Sequence, residues 1–137
     1  VLPYRPRAIV VYEGDNDVWK GVEAVEIRDT FCKFVRKVHA QLPETRIYFL
    51  AIKPSYKRRS KWSTMVEANR LIAAECDGDR RLRYVDIVPV LLDENGKVRR
   101  ELFTTDDLHM NRSGYERVRE VLRPVLMKHE MAFENQD

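Results

Sequence analysis

The chain has 137 residues, 44% of them apolar and 34% charged, and a net charge of +3. That is long enough for one domain with a real core. No apolar run approaches the length of a membrane span, and so mild a charge excess does not argue for a nucleic-acid partner. Cys32 and Cys76 lack CxxC spacing, which speaks against a disulfide framework or a zinc site and predicts two half-buried thiols on helices. The chain opens Val-Leu-Pro-Tyr with no targeting pattern. That start looks like a cut inside a longer protein and leaves the compartment undetermined.

Residues 8–12 (AIVVY) form a short continuous apolar run, as expected of a strand buried on both faces of a parallel sheet. From Ile27 the spacing turns helical, with Ile27, Phe31, Phe34, Val35, Val38 and Leu42 on one stripe and Pro43 ending it. Residues 46–52 (RIYFLAI) predict a second strand, followed by a polar loop through Ser60. A second helix is expected from Ser60 or Trp62 to Cys76, with Trp62, Met65, Leu71 and Ile72 as core residues and Gly78 as a left-handed cap. Residues 82–88 give a third strand, and Asn95-Gly96 signals a tight turn. The last helix is predicted to start on a capping box of Ser113 and Glu116, to bury Val118, Val121, Leu122, Val125 and Leu126, and to bend at Pro124. Alternation of strand and helix without repeats implies an α/β fold, a parallel sheet with helices on its faces. Ligands of such sheets bind beyond the carboxyl ends of the strands, where Asn16 and His109 are both expected to project.

Two clusters carry the chemistry. Gly14-Asp15-Asn16-Asp17 follows the first strand, and Asp106-Asp107-Leu108-His109 precedes the last helix. Together they resemble the third and fifth sequence blocks of the SGNH (GDSL-type) serine hydrolases, esterases and lipases that work without metal or cofactor. Met110-Asn111-Arg112-Ser113-Gly114-Tyr115 resembles the family's continuation into its final helix. The resemblance makes Asn16 an oxyanion donor with Gly14 supporting its turn, His109 the general base, and Asp106 the carboxylate orienting it. A carboxylate three residues before an imidazole is within reach of its Nδ1–H, which fixes the tautomer while Nε2 accepts the serine proton. Asp107 is off register for that role and reads as solvated. Gly, Asn and Asp are also ordinary turn formers after a strand, so the first cluster is the less specific of the two.

The resemblance also defines what is missing. The family's Gly-Asp-Ser-like turn and its second-block Gly have no counterpart among these residues; Ser55, Ser60, Ser63 and Ser113 lie in no Gly-rich elbow. The implied fold is a flavodoxin-like three-layer α/β/α sandwich, a single domain over residues 1–137 lacking the first strand-helix-strand unit. The implied activity, in the full-length parent, is hydrolysis of a small acyl ester or thioester through an acyl-serine intermediate. The open sheet edge left by the absent strand is expected to hold the missing N-terminal segment or a second copy of the chain.

Residues 53–61 hold five cations in nine residues after the second strand. Lys57, Arg58 and Arg59 are candidates for gathering an anionic substrate group, and a solvated loop is the plainer reading. A non-catalytic binding module of the same fold using this loop is the alternative function; a nucleotide-binding domain is weakened by the lack of a P-loop or GxGxxG sequence. His39 and His129 lie late in helices, where the dipole favours a cation. Three histidines without ligand spacing argue against a metal hydrolase.

Overall fold

The computed structural model describes residues 1–135. Three parallel strands, β1 (Ala8–Val11), β2 (Arg46–Leu50) and β3 (Leu82–Val85), form one sheet in the order β1-β2-β3. Helices α1 (Asp15–Trp19), α2 (Ala24–Gln41), α3 (Trp62–Asp77) and α4 (Arg112–Glu134) complete an α/β sandwich. β1 and β2 run in register from Ala8 opposite Arg46 to Val11 opposite Phe49. The chain divides into two compact units, Val1–Ile52 with Ser60–Tyr84, and Lys53–Arg59 with the residues from Val85 onward.

The first unit contains the larger core. Ile27, Phe31 and Val38 of α2 meet Ile47 and Phe49 of β2 and Met65, Ala68 and Ile72 of α3, all buried. Phe31 and Phe49 pack edge to face with ring centres 5.1 Å apart. The stripe read from Ile27 to Leu42 is therefore the buried face of α2, which ends at Gln41 because Pro43 cannot continue it. β2 is buried at every position, whereas β1 is not: Val10 is exposed and its neighbours are only half-buried. The expectation of a strand buried on both faces fails for β1, which lies at the edge of the sheet, as the reading of an open edge there expected.

Asn69 of α3 was not foreseen as a core residue. Its side chain accepts from the Ile52 N–H at 2.7 Å and donates to the Ile52 carbonyl at 3.0 Å. One buried amide thus satisfies both backbone groups of a residue that has just left β2, at little desolvation cost. Gly78 closes α3 at φ −82°, so the left-handed cap expected there is absent; its N–H donates to Glu75 within an ordinary right-handed turn.

In the second unit, Leu91, Leu102, Phe103, Leu108, Met110 and Val118 are buried. The tight turn at Asn95-Gly96 forms as predicted, with Gly96 at φ +73° and the Asp93 carboxylate accepting from the Asn95 and Lys97 N–H groups. The capping box at Ser113 does not form. Asn111 caps α4 instead, accepting from the Gly114 N–H at 3.1 Å, while Glu116 pairs with Arg112. Gly114 is buried where an added Cβ would collide with the Leu102 carbonyl, and α4 runs on through Pro124.

Candidate active site

The His109 loop is built from its backbone outward. Phe103 and Met110 form an antiparallel bridge, and the Thr104 N–H donates to the His109 carbonyl at 2.8 Å, closing a tight loop over 104–109. Asp106 organises the interior of that loop. Its Oδ1 accepts from the Thr104 hydroxyl at 2.6 Å, the Leu108 N–H at 2.9 Å and the His109 N–H at 3.0 Å. Its other oxygen, Oδ2, lies 2.5 Å from His109 Nδ1. The imidazole first, then the Thr104 hydroxyl and the two backbone N–H groups, hold this carboxyl well below the usual carboxylate range. Asp106 is thus a fixed anion that binds Nδ1–H, leaving Nε2 as the basic nitrogen. The His109 side chain is 69% exposed, and its Nε2 takes no hydrogen bond among the described residues.

Asn16 stands in the first unit, on the turn that leaves the carboxyl end of β1. Gly14 adopts φ +119°, and an added Cβ there would lie 2.7 Å from Ile52 Cδ1. Only glycine suits both that backbone and that proximity. Its carbonyl accepts from the Val18 N–H at 3.0 Å, which winds the chain directly into α1, a five-residue helix rather than a simple turn. Asn16 is exposed in the first turn of this helix. Ile52, gripped by Asn69, is the surface against which the turn is set.

The sequence of residues 1–117 matches the family model for the GDSL-like Lipase/Acylhydrolase family. The chain belongs to this family. Solved structures resemble it in fold at low identity. A carbohydrate esterase family 3 protein from Talaromyces cellulolyticus matches with TM-score 0.77 and 17% identity over 93% of this chain and 60% of its own. A GDSL-like lipase from Bacteroides thetaiotaomicron matches with TM-score 0.73 and 17% identity over 93% of this chain and 65% of its own. The OSK domain of Drosophila Oskar matches with TM-score 0.74 and 22% identity over 85% of this chain and 60% of its own. The chain spans about three fifths of the length of the first structures it matches. No curated protein matches it.

For this GDSL-like chain, the basic segment differs from a solvated loop. Lys53, Ser55 and Arg58 are buried, and only Lys57, Arg59 and Tyr56 face solvent within 53–59. Ser55 Oγ accepts from the Arg58 N–H at 3.2 Å, folding the segment on itself. Arg59 and Arg100 stack on the Tyr56 ring, each 4.2 Å from its centre. The Lys57 N–H donates to the Asp107 carbonyl at 3.2 Å, tying this segment to the His109 loop.

Asp107 is not solvated, as read from its register. It sits at φ +55° and its carboxylate takes two bonds from Arg100, at 2.9 and 2.6 Å. Arg100 and Tyr56 were missed as site-building residues because nothing in their spacing joins them to residues 104–109. The other histidines are engaged elsewhere: His39 Nε2 meets the Thr45 carbonyl at 2.9 Å, and His129 is buried against Phe133. Cys32 is half-buried and Cys76 buried, and desolvation pushes both thiols up, that of Cys76 to about 12.

Proposed function

We propose that this chain supplies the base, its orienting carboxylate and an oxyanion donor to a serine hydrolase that cleaves small acyl esters or thioesters. The observation that carries this reading is the Asp106–His109 pair, in which the carboxylate is immobilised by three further hydrogen bonds and Nε2 is left open. Family membership supports hydrolase chemistry of the same kind. These residues hold no Gly-Asp-Ser-like turn, so the reading is of a serine hydrolase whose nucleophile they do not supply.

The roles follow from the chemistry. As the serine oxygen bonds to the acyl carbon, its proton passes to Nε2 of His109, and the Asp106 carboxylate stabilises the imidazolium that forms. The carbonyl π electrons move onto oxygen, where the Asn16 amide N–H offers a neutral donor. Collapse breaks the ester C–O bond while His109 returns the proton to the leaving alkoxide. Water then repeats the sequence against the acyl-serine, releasing the acid and restoring the serine.

The test is p-nitrophenyl acetate hydrolysis by the protein that includes the serine turn. His109→Ala is expected to lower kcat by several orders of magnitude, because base and nucleophile act as a unit. Asp106→Asn is expected to cost about 10⁴-fold through the wrong tautomer, and Asn16→Ala about 10²- to 10³-fold. Near-normal turnover by the His109 variant would remove the assignment.

A further inference from the structure

Tyr56 carries two guanidinium groups on its ring. The central carbons of the Arg59 and Arg100 guanidiniums each lie 4.2 Å from the ring centre, so the two cations stand within twice that distance of each other. Attraction to the ring face offsets their mutual repulsion. Both are also held in place by hydrogen bonds. Arg59 Nη1 donates to the Tyr56 carbonyl at 2.8 Å, and Arg100 gives Nε and Nη2 to the Asp107 carboxylate at 2.9 and 2.6 Å. Other donors are left over. Among the described residues, the Tyr56 hydroxyl, Arg59 Nε and Nη2, Arg100 Nη1 and the Lys57 ammonium donate to no protein acceptor. All four side chains are exposed, and Asp107 is the carboxylate that balances one of their three cations.

We propose that Tyr56, Arg59 and Arg100 form a binding site for a phosphate group, with Lys57 adding charge. A guanidinium presents its N–H donors as a planar fork that suits carboxylate or phosphate oxygens. Here two forks lie over a ring whose hydroxyl lies in the ring plane, so the donors occupy different planes. A carboxylate serves donors in its own plane, whereas the oxygens of a tetrahedral oxyanion point several ways and accept from several planes. The second charge of a phosphate also matches the excess of cations better than the single charge of a carboxylate. Because the ring and Asp107 fix the two arginines before any ligand arrives, little rotamer freedom is lost on binding. The bond from the Lys57 N–H to the Asp107 carbonyl ties this site to the His109 loop. A phosphate held here is therefore either part of the ester being cleaved or a separate ligand beside it.

The test is an NMR titration of the 137-residue chain with inorganic phosphate at constant ionic strength, following the Arg59 and Arg100 Nε–H signals. Saturable binding is expected with Kd on the order of 1 mM. Sulfate should bind comparably, and acetate about tenfold more weakly. Arg59→Gln is expected to weaken phosphate binding about tenfold. Arg59→Lys should weaken it several-fold even though the charge is kept, because an ammonium neither stacks nor offers a fork. Shifts that grow without saturating would overturn the proposal, as would acetate binding as tightly as phosphate. Full affinity in Arg59→Lys would overturn it too, by reducing the site to loose charge. The source of the phosphate is read in the protein that includes the serine turn. Phosphate that competes with p-acetoxyphenyl phosphate and leaves p-nitrophenyl acetate hydrolysis unchanged marks the group as part of the substrate. Phosphate that alters p-nitrophenyl acetate turnover marks it as a separate ligand. The titration itself needs no turnover, so its outcome is independent of the hydrolase reading.

Discussion

Arg100 grips Asp107 through both carboxylate oxygens, one residue from the carboxylate that orients His109. Asp107 is one of two non-glycine residues with positive φ among those described, and the Arg100 bonds and the Lys57 N–H hold it there. An aspartate tolerates that conformation better than most residues but does not choose it unaided. The loop presenting His109 is thus braced from outside by residues remote in sequence.

Arg100→Ala should therefore loosen the loop without touching the Asp106–His109 bond directly. Amide hydrogen exchange at Asp107, Leu108 and His109 is expected to accelerate by about tenfold. Exchange elsewhere in the second unit should stay constant. Unchanged protection at these three amides would show that the brace is unnecessary.

Gly14→Ala is expected to destabilise the first unit by on the order of 2–3 kcal/mol, read as a lower urea midpoint. Two costs combine: an L-residue at φ +119°, and a Cβ 2.7 Å from the Ile52 side chain. Ile52→Val should recover part of the loss at most, since it relieves the contact and leaves the backbone strain.

The pH dependence of stability should contain a contribution from Asp79. Its carboxyl is lowered to about 2, first by the Arg81 side chain and then by the Arg81 backbone N–H. A carboxylate whose folded-state value is depressed stabilises above its unfolded value and loses that contribution as pH falls through the folded one. The window is thus from about pH 4 down to about pH 2, and the loss about 1 kcal/mol after solvent screening. Asp79→Asn should melt earlier than the parent at pH ~6 and match it near pH ~2. A constant difference across the range would assign the effect to packing instead.

The basic segment separates into two kinds of residue. Lys57→Ser with Arg59→Ser should raise KM for anionic esters several-fold and spare neutral ones, an effect that shrinks with salt because exposed charges are screened beyond about 8 Å. Arg58→Ser should act on stability instead, because Arg58 is buried. Equal changes for both ester classes would leave Lys57 and Arg59 as surface residues only.

The local chemistry of this protein was legible in its sequence. The stripe on α2, the Asn95-Gly96 turn and the Asp106–His109 spacing each depend on residues within one or two turns of chain, where periodicity and reach decide the outcome. Other local signals lost to tertiary contacts. Ser113 and Glu116 had the spacing of a capping box, yet Asn111 took the cap, because its amide also bonds the Glu101 and Phe103 carbonyls. The run of cations at 53–61 read as solvent-loving, yet the fold buries Lys53 and Arg58. The apolar run of β1 read as interior by composition and as an open edge by resemblance, and the edge is what the fold shows, since composition records what a strand prefers to contact and not whether a neighbour is there. Asn69 on Ile52 and Arg100 on Asp107 join residues seventeen and seven positions apart. Only the folded chain brings such groups within 3 Å, so the bracing of the His109 loop belonged to the tertiary structure, while the Asp106–His109 contact was already written in four consecutive residues.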